Sequence, residues 1–235
     1  GGIGKAAEKN ILIKDATALE EIRRTDALVI DKTGTLTIPD NIGEKLKPHA
    51  REAMEALQQQ GIETVWIHVG HLQIHGCIAC NKCWTSGICA FGDIVNEIST
   101  KMREADGLLI GSPVYFASPN GTLLSPLDRL FYSCHCDKRM KVGAAVAVAR
   151  RGGLSATFDE LNKYFTINSM PVAASNYWNS VHGGAKGDAE QDAEGLQTVR
   201  VLAENMSFLM KSIALGKEQI GLPETEPKTY TNFIR

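Results

Sequence analysis

Five short apolar runs, at residues 27–30, 64–69, 107–110, 142–149 and 171–174, alternate with stretches whose apolar residues recur at helical spacing. This alternation limits the possible folds more than any single motif does. A strand covered on both faces reads as an unbroken apolar run, and a parallel neighbour needs a crossover helix to bring the chain back to the same edge. The pattern predicts an α/β three-layer sandwich with a five-stranded parallel sheet in the order 2-1-3-4-5, whose ligands bind beyond the carboxyl ends of strands one and three. A further extended piece is read at 11–13. Helices are predicted at 16–24, at 48–60 with Pro48 in the first turn and Gly61 as its stop, at 93–104 with Asp93 as N-cap, and at 121–133, 158–165 and 190–215. The polar stretch 216–235, with Pro223 and Pro227, is read as an extended tail.

The 235 residues suit one domain of this kind, and 43% hydrophobic with 22% charged residues is ordinary for a globular chain. A net charge of −2 leaves no basic footprint for nucleic acid. No apolar run approaches the ~18 residues of a membrane span, so no membrane partner is expected. No signal peptide is expected from the Gly1-Gly2 start, and a cytoplasmic location is expected. Six cysteines are too few for a disulfide scaffold, and four of them cluster: Cys77-x2-Cys80-x2-Cys83-x5-Cys89. Three thiolates at this spacing, with a fourth nearby, suit a loop wrapped around an iron–sulfur cluster. Tetrahedral zinc and free thiols are the alternatives.

The stretch Asp31-Lys32-Thr33-Gly34-Thr35-Leu36-Thr37 resembles the phosphorylation motif of P-type ATPases. With Gly4-Lys5-Ala6-Ala7 before it and Lys47-Pro48-His49-Ala50-Arg51-Glu52-Ala53 after it, the resemblance covers about residues 1–67. It implies a β-α-β piece of a HAD-like phosphorylation domain without its nucleotide-binding insertion, with Asp31 in the nucleophile's position. No Gly-Asp-Gly-x-x-Asn-Asp metal motif follows, so a pump is excluded.

From about residue 68 onward the chain resembles NAD(P)H-dependent FMN reductases and iron–sulfur flavoproteins. The stretches that carry this are Gly111-Ser112-Pro113-Val114-Tyr115-Phe116-Ala117-Ser118, Gly121-Thr122-Leu123, Leu127-Asp128-Arg129, Arg150-Arg151-Gly152-Gly153 and Tyr177-Trp178-Asn179-Ser180-Val181-His182-Gly183. The resemblance implies a flavodoxin-like fold and an FMN site. Ser112, Pro113, Val114, Tyr115, Phe116, Asn120, Gly152, Gly153 and His182 would line the flavin, and Gly34, Thr35 and Asn41 would meet its phosphate. It also implies a cluster on Cys77, Cys80, Cys83 and Cys89, NAD(P)H as substrate, and a homo-oligomer, dimer or tetramer. An arginine and a hydroxyl usual in the phosphate loop are missing here, so weakened FMN affinity is expected.

The chain is thus read as one flavodoxin-like domain of chimeric sequence: 1–67 ATPase-like, 68–215 flavoprotein-like and 216–235 a tail. The Gly-Gly start and the clean loss of the insertion favour an engineered exchange. The expected function is NAD(P)H-dependent flavin reduction with electrons passing to a cluster. The alternatives are a folded chimera without cofactor or activity, and phosphoryl chemistry at Asp31.

Overall fold

In the computed structural model the described residues are 26–31, 48–70, 72–231 and 233. The expected elements at 11–13 and 16–24 lie outside them. Strand β1 (Asp26–Asp31) runs parallel between β2 (Glu63–His68) and β3 (Gly107–Tyr115) and ends with Asp31 level with His68 and Gly111. On its other side β3 pairs in parallel with β5 (Val142–Ala149), which pairs in parallel with β6 (Ser180–His182). A two-residue β4 (Ser118–Pro119) folds back antiparallel on the end of β3. The strand path is β2-β1-β3-β5-β6 with β4 beside it.

Two expectations about the sheet are corrected. The sheet is mixed, not the purely parallel five-stranded sheet read from the sequence, because β3 overruns its neighbours to Tyr115 and returns as a hairpin. The apolar run at 171–174 is not the outer strand. Gly143 N–H donates to the Pro171 carbonyl and Ala173 N–H to the Gly143 carbonyl, both at 2.8 Å, which makes one bridge only. The ladder resumes at Ser180–His182. Buried Asn179 makes the join: its amide donates to the Ala145 carbonyl at 3.0 Å, and its carbonyl accepts from Ala147 N–H at 2.9 Å.

Seven helices are seen among the described residues: α1 (Pro48–Gln59), α2 (Cys83–Ser86), α3 (Ile94–Glu104), α4 (Gly121–Ser133), α5 (Leu154–Thr166), α6 (Asp188–Gln191) and α7 (Ala193–Ile220). Successive residues of a strand face opposite sides, and β3 shows the result. Leu108 and Ile110 pack under α3, α4 and α5 with Ile98, Leu127 and Phe165, whereas Leu109 faces α1 and α7 with Leu57, Leu202 and Met206. Gly143 is glycine for want of room, since a Cβ there would lie 2.3 Å from the Phe165 ring. Helix α7 starts where Asp192 accepts from Gly195 N–H at 3.0 Å and runs on to Ile220, into the stretch read as tail. No helix among the described residues is long and apolar enough to cross a membrane.

Candidate functional site

After β2 the chain crosses to α3 through a segment with little regular structure, whose only helix among the described residues is the single turn α2 at Cys83–Ser86. Ala79 and Asn81 hold left-handed backbone (φ 52° and 57°), uncommon for residues with side chains, and bend the loop between successive cysteines. Cys77, Cys80, Cys83 and Cys89 all line one solvent-open cleft of about 320 Å³, together with Phe91, Arg129 and Tyr132. Cys83 is buried, Cys89 is partly buried, and Cys77 and Cys80 are exposed. Burial pushes the Cys83 thiol up, and neighbouring charge on Cys80, Cys89 and Cys77 pushes the same way.

One side chain organises this cleft. Arg129, on α4, is 1% exposed, and its guanidinium makes a two-pronged pair with Asp93, both bonds 2.7 Å. The remaining N–H groups donate to Cys89 Sγ at 3.3 and 3.2 Å and to the His75 carbonyl at 3.1 Å. The Phe91 ring lies 4.6 Å from the guanidinium carbon and stacks on His75 at 5.0 Å. Burial works against the charge on Arg129, but the bonds to Asp93 and Cys89 outweigh it and raise its pKa. The same bond holds the Asp93 carboxyl below its ordinary range. Asp93 also caps α3, accepting from Val95 N–H at 3.2 Å.

Cys89 is gripped from a second direction. Asn96 Oδ1 accepts from Cys89 N–H and Asn96 Nδ2 donates to the Cys89 carbonyl, both at 2.9 Å. Tyr132 Oη accepts from Trp84 Nε1 and donates to Asn81 Oδ1, each at 3.0 Å, which ties the first part of the loop to α4. The donor set fits an iron–sulfur cluster: four sulfurs on one cleft, one already receiving charge-assisted hydrogen bonds. Among the described residues no three His, Cys, Asp or Glu are arranged to hold a single metal ion.

The other candidate residues lie at the carboxyl end of the sheet. Ser112, buried, accepts from Asn120 N–H at 3.0 Å and donates to the Pro113 carbonyl at 2.9 Å, while Asn120 Oδ1 caps α4 by accepting from Thr122 N–H at 2.9 Å. Tyr115 and Ser118 close the β3–β4 hairpin through Phe116 and Ala117, both left-handed (φ 52° and 58°). Tyr115 is partly exposed and Phe116 wholly so. Gly153 meets this hairpin directly: at φ 89°, its Cβ would fall 2.7 Å from Ala117 Cα and Val114 Cγ1. Gly152 is exposed with open space around it. His182 ends β6, its N–H donating to Asp192 Oδ2 at 2.6 Å and its half-exposed ring 3.6 Å from the same oxygen. Ser112–Phe116, Asn120 and Gly153 are therefore brought together, with His182 further along the sheet edge. Gly34, Thr35 and Asn41 lie outside the described residues, and of Asp31 only the backbone is described.

Comparison with known proteins matches residues 47–185 to the NADPH-dependent FMN reductase family. An iron-sulfur flavoprotein of Methanocaldococcus jannaschii is 39% identical over 171 residues, 69% of this chain and 89% of that protein. The chain belongs to this family. A second relative, an iron-sulfur flavoprotein of Methanosarcina thermophila, is 30% identical over 71% of this chain and 88% of its own length. Separately, 36 residues, 15% of the chain, are 58% identical to a silver exporting P-type ATPase of Salmonella typhimurium, of which they cover 4%. Among solved structures, RosB with bound 8-demethyl-8-formylriboflavin-5'-phosphate aligns over 90% of this chain and 94% of its own, with a TM-score of 0.61 at 16% identity. A flavodoxin from the domain Archaea aligns over 80% and 99% with a TM-score of 0.51 at 13% identity. These two likenesses show the flavodoxin-like fold. Arg129, which holds Asp93 and Cys89, is legible in the sequence only as part of the Leu127-Asp128-Arg129 stretch and not as a site residue. The available signal was an arginine between the inward-facing Leu127 and Leu130 on a helix that must pack against the sheet.

Proposed function

We propose that the chain is an FMN-binding oxidoreductase that takes electrons from NAD(P)H and passes them to an iron–sulfur cluster on Cys77, Cys80, Cys83 and Cys89. The observation that carries the cluster is the shared cleft: four cysteines from a 13-residue stretch face one space, and buried Arg129 donates twice to one of their sulfurs. A zinc ion would need all four sulfurs ~2.3 Å from one point. Three cysteines spaced two residues apart suit a loop wrapped around a larger cluster better than the two separated pairs usual for zinc. When bound, flavin exchanges electron pairs with nicotinamide and single electrons with iron, chemistry that belongs to the cofactors.

The chain's own residues would bind, shield and tune. Thiolates of the four cysteines would hold iron, Arg129 would offset part of their negative charge, and Phe91 with Ile78 would limit water at the cleft wall. At the rim, Pro113–Phe116 would form one wall of the flavin site and Gly152-Gly153 would let a second loop come close, with His182 at the edge. Gly34, Thr35 and Asn41 would take the phosphate, with affinity lowered by the missing arginine. Asn120 and Arg129 stand about 13 Å apart along α4 at ~1.5 Å per residue, so one helix would support both cofactors. A cytoplasmic dimer or tetramer that covers the exposed Phe116 belongs to the same proposal.

The test is an anaerobic preparation assayed for iron and sulfide, its absorption spectrum recorded before and after FMN is added. A broad visible shoulder lost in Cys80→Ser, with stoichiometric FMN quenching, is expected. A colourless protein that leaves FMN fluorescence unchanged would sink the reading and leave a folded chimera without cofactors.

A further inference from the structure

Cys134 and Cys136 follow α4 and belong to neither proposed cofactor site. Their sulfurs lie 2.9 Å apart. That is inside the roughly 3.5 Å optimum of ordinary nonbonded contact and about 0.9 Å from the ~2.05 Å of a formed bond. The two sulfurs differ in access. Cys134 is 1% exposed, with Sγ 3.7 Å from the Ser99 carbonyl, whereas Cys136 is only partly buried. The turn that brings them together is clamped by a buried cation: Lys138 Nζ donates to the carbonyl of Cys134 and, at 3.4 Å, to that of Cys136. The hydrogen bond from Cys136 draws the Cys134 thiol down to about 5, and the same bond pushes Cys136 up, so the pair shares one proton at neutral pH.

We propose that Cys134 and Cys136 form a second redox centre, a dithiol that closes to a disulfide by exchange with low-molecular-weight disulfides. Cys136, the more exposed of the two, passes its proton to the Cys134 thiolate across their 2.9 Å contact and attacks one sulfur of the external disulfide. The external S–S bond breaks, its electron pair leaves on the departing thiolate, and that thiolate takes the proton Cys136 gave up. Cys134, a thiolate again, then attacks the Cys136 sulfur of the mixed disulfide, forming the Cys134–Cys136 bond and expelling the second half as a thiolate that takes its proton from solvent. Two protein thiols are oxidised and one external disulfide is reduced to two thiols, with no flavin or iron needed. The centre also adjoins the cysteine cleft: Cys134 N–H caps α4 by donating to the Leu130 carbonyl at 2.9 Å, and the His135 ring lies 6.1 Å from Trp84.

Trypsin isolates the pair, because Arg129 and Lys138 bracket residues 130–138, which hold both cysteines and none of the other four. Full-length protein is incubated with hydroxyethyl disulfide, alkylated, digested and mapped by mass spectrometry. The peptide is expected lighter by two hydrogens, closed to alkylation until reduced, with both halves of the probe released as thiols. In Cys134→Ser, Cys136 is expected to accumulate as the mixed disulfide with the probe. A wild-type peptide that remains fully alkylatable overturns the proposal, whatever the variant does. Cys136 left unmodified in a folded Cys134→Ser protein also overturns it.

Discussion

The rim and the cysteine cleft meet the same α4 helix but are built by opposite means. At the rim, geometry is carried by backbone: a hairpin with two left-handed residues, a capped helix start, and a glycine pressed against the hairpin. In the cleft the backbone has one helical turn, and position is set by side chains converging on a buried guanidinium. Backbone-built geometry tolerates exchange of exposed side chains and fails where a Cβ is added in the wrong place. A loop held through one buried charge fails when that charge goes.

The largest effect should come from Arg129→Met. It leaves the Asp93 carboxylate without its charged partner and removes the donors to Cys89 and the His75 carbonyl. Breaking a buried pair from one side costs about 3–5 kcal/mol. The Asp93 side chain is 31% exposed and water can solvate it, so the lower end applies, a fall in melting temperature on the order of 10 °C for a chain of this size. Calorimetry checks it, and an unchanged melting temperature would end the idea that this cation holds the loop. Next comes Gly153→Ala, expected to destabilise by about 1–3 kcal/mol through φ strain and the 2.7 Å clash with the hairpin. Gly152→Ala, with open space around it, should stay within about 0.5 kcal/mol. Equal losses in denaturant melts would show that Gly153 is not the point where the two rim loops press together.

Asn96→Ala removes both bonds to the Cys89 backbone and should cost about 1–2 kcal/mol. Cys89 should also react faster with iodoacetamide in the iron-free protein. An unaltered rate would mean Arg129 alone positions Cys89. The smallest effect is acid sensitivity. Asp93 titrates lower when folded than when unfolded, so its contribution is present above the unfolded carboxylate range and is lost as pH falls through the folded value. Stability should therefore decline below pH ~4, the unfolded Asp value. Asp93→Asn should flatten that part of the profile, and a profile with the wild-type slope would count against the Asp93–Arg129 link as its source.

Much of this architecture was readable from local pattern. Pro48 opens its helix and Asp93 caps another at the positions their chemistry dictates. Val142–Ala149 reads as buried because each of its residues is small or β-branched and apolar. The β3–β4 hairpin was not legible, since Phe116-Ala117 lacks the Asn-Gly signal of a turn with both central φ values positive. The outer strand was misplaced for a related reason. Ser180-Val181-His182 is short and half polar, whereas the more apolar 171–174 buries only Ala173 and pairs through a single bridge.

The sequence by itself determined the alternation of strands and helices, most of their ends, and the spacing of the four loop cysteines. Those properties arise from residues a few positions apart, through periodicity, capping and backbone preference. Only the tertiary structure decided that Arg129 reaches across 36 residues to Asp93 and 40 to Cys89, and that the turn after α4 sets two sulfurs 2.9 Å apart. The physical reason is desolvation. A guanidinium must find partners only once packing has removed its water, and the packed layers, not the local chain, decide which groups are near enough to serve.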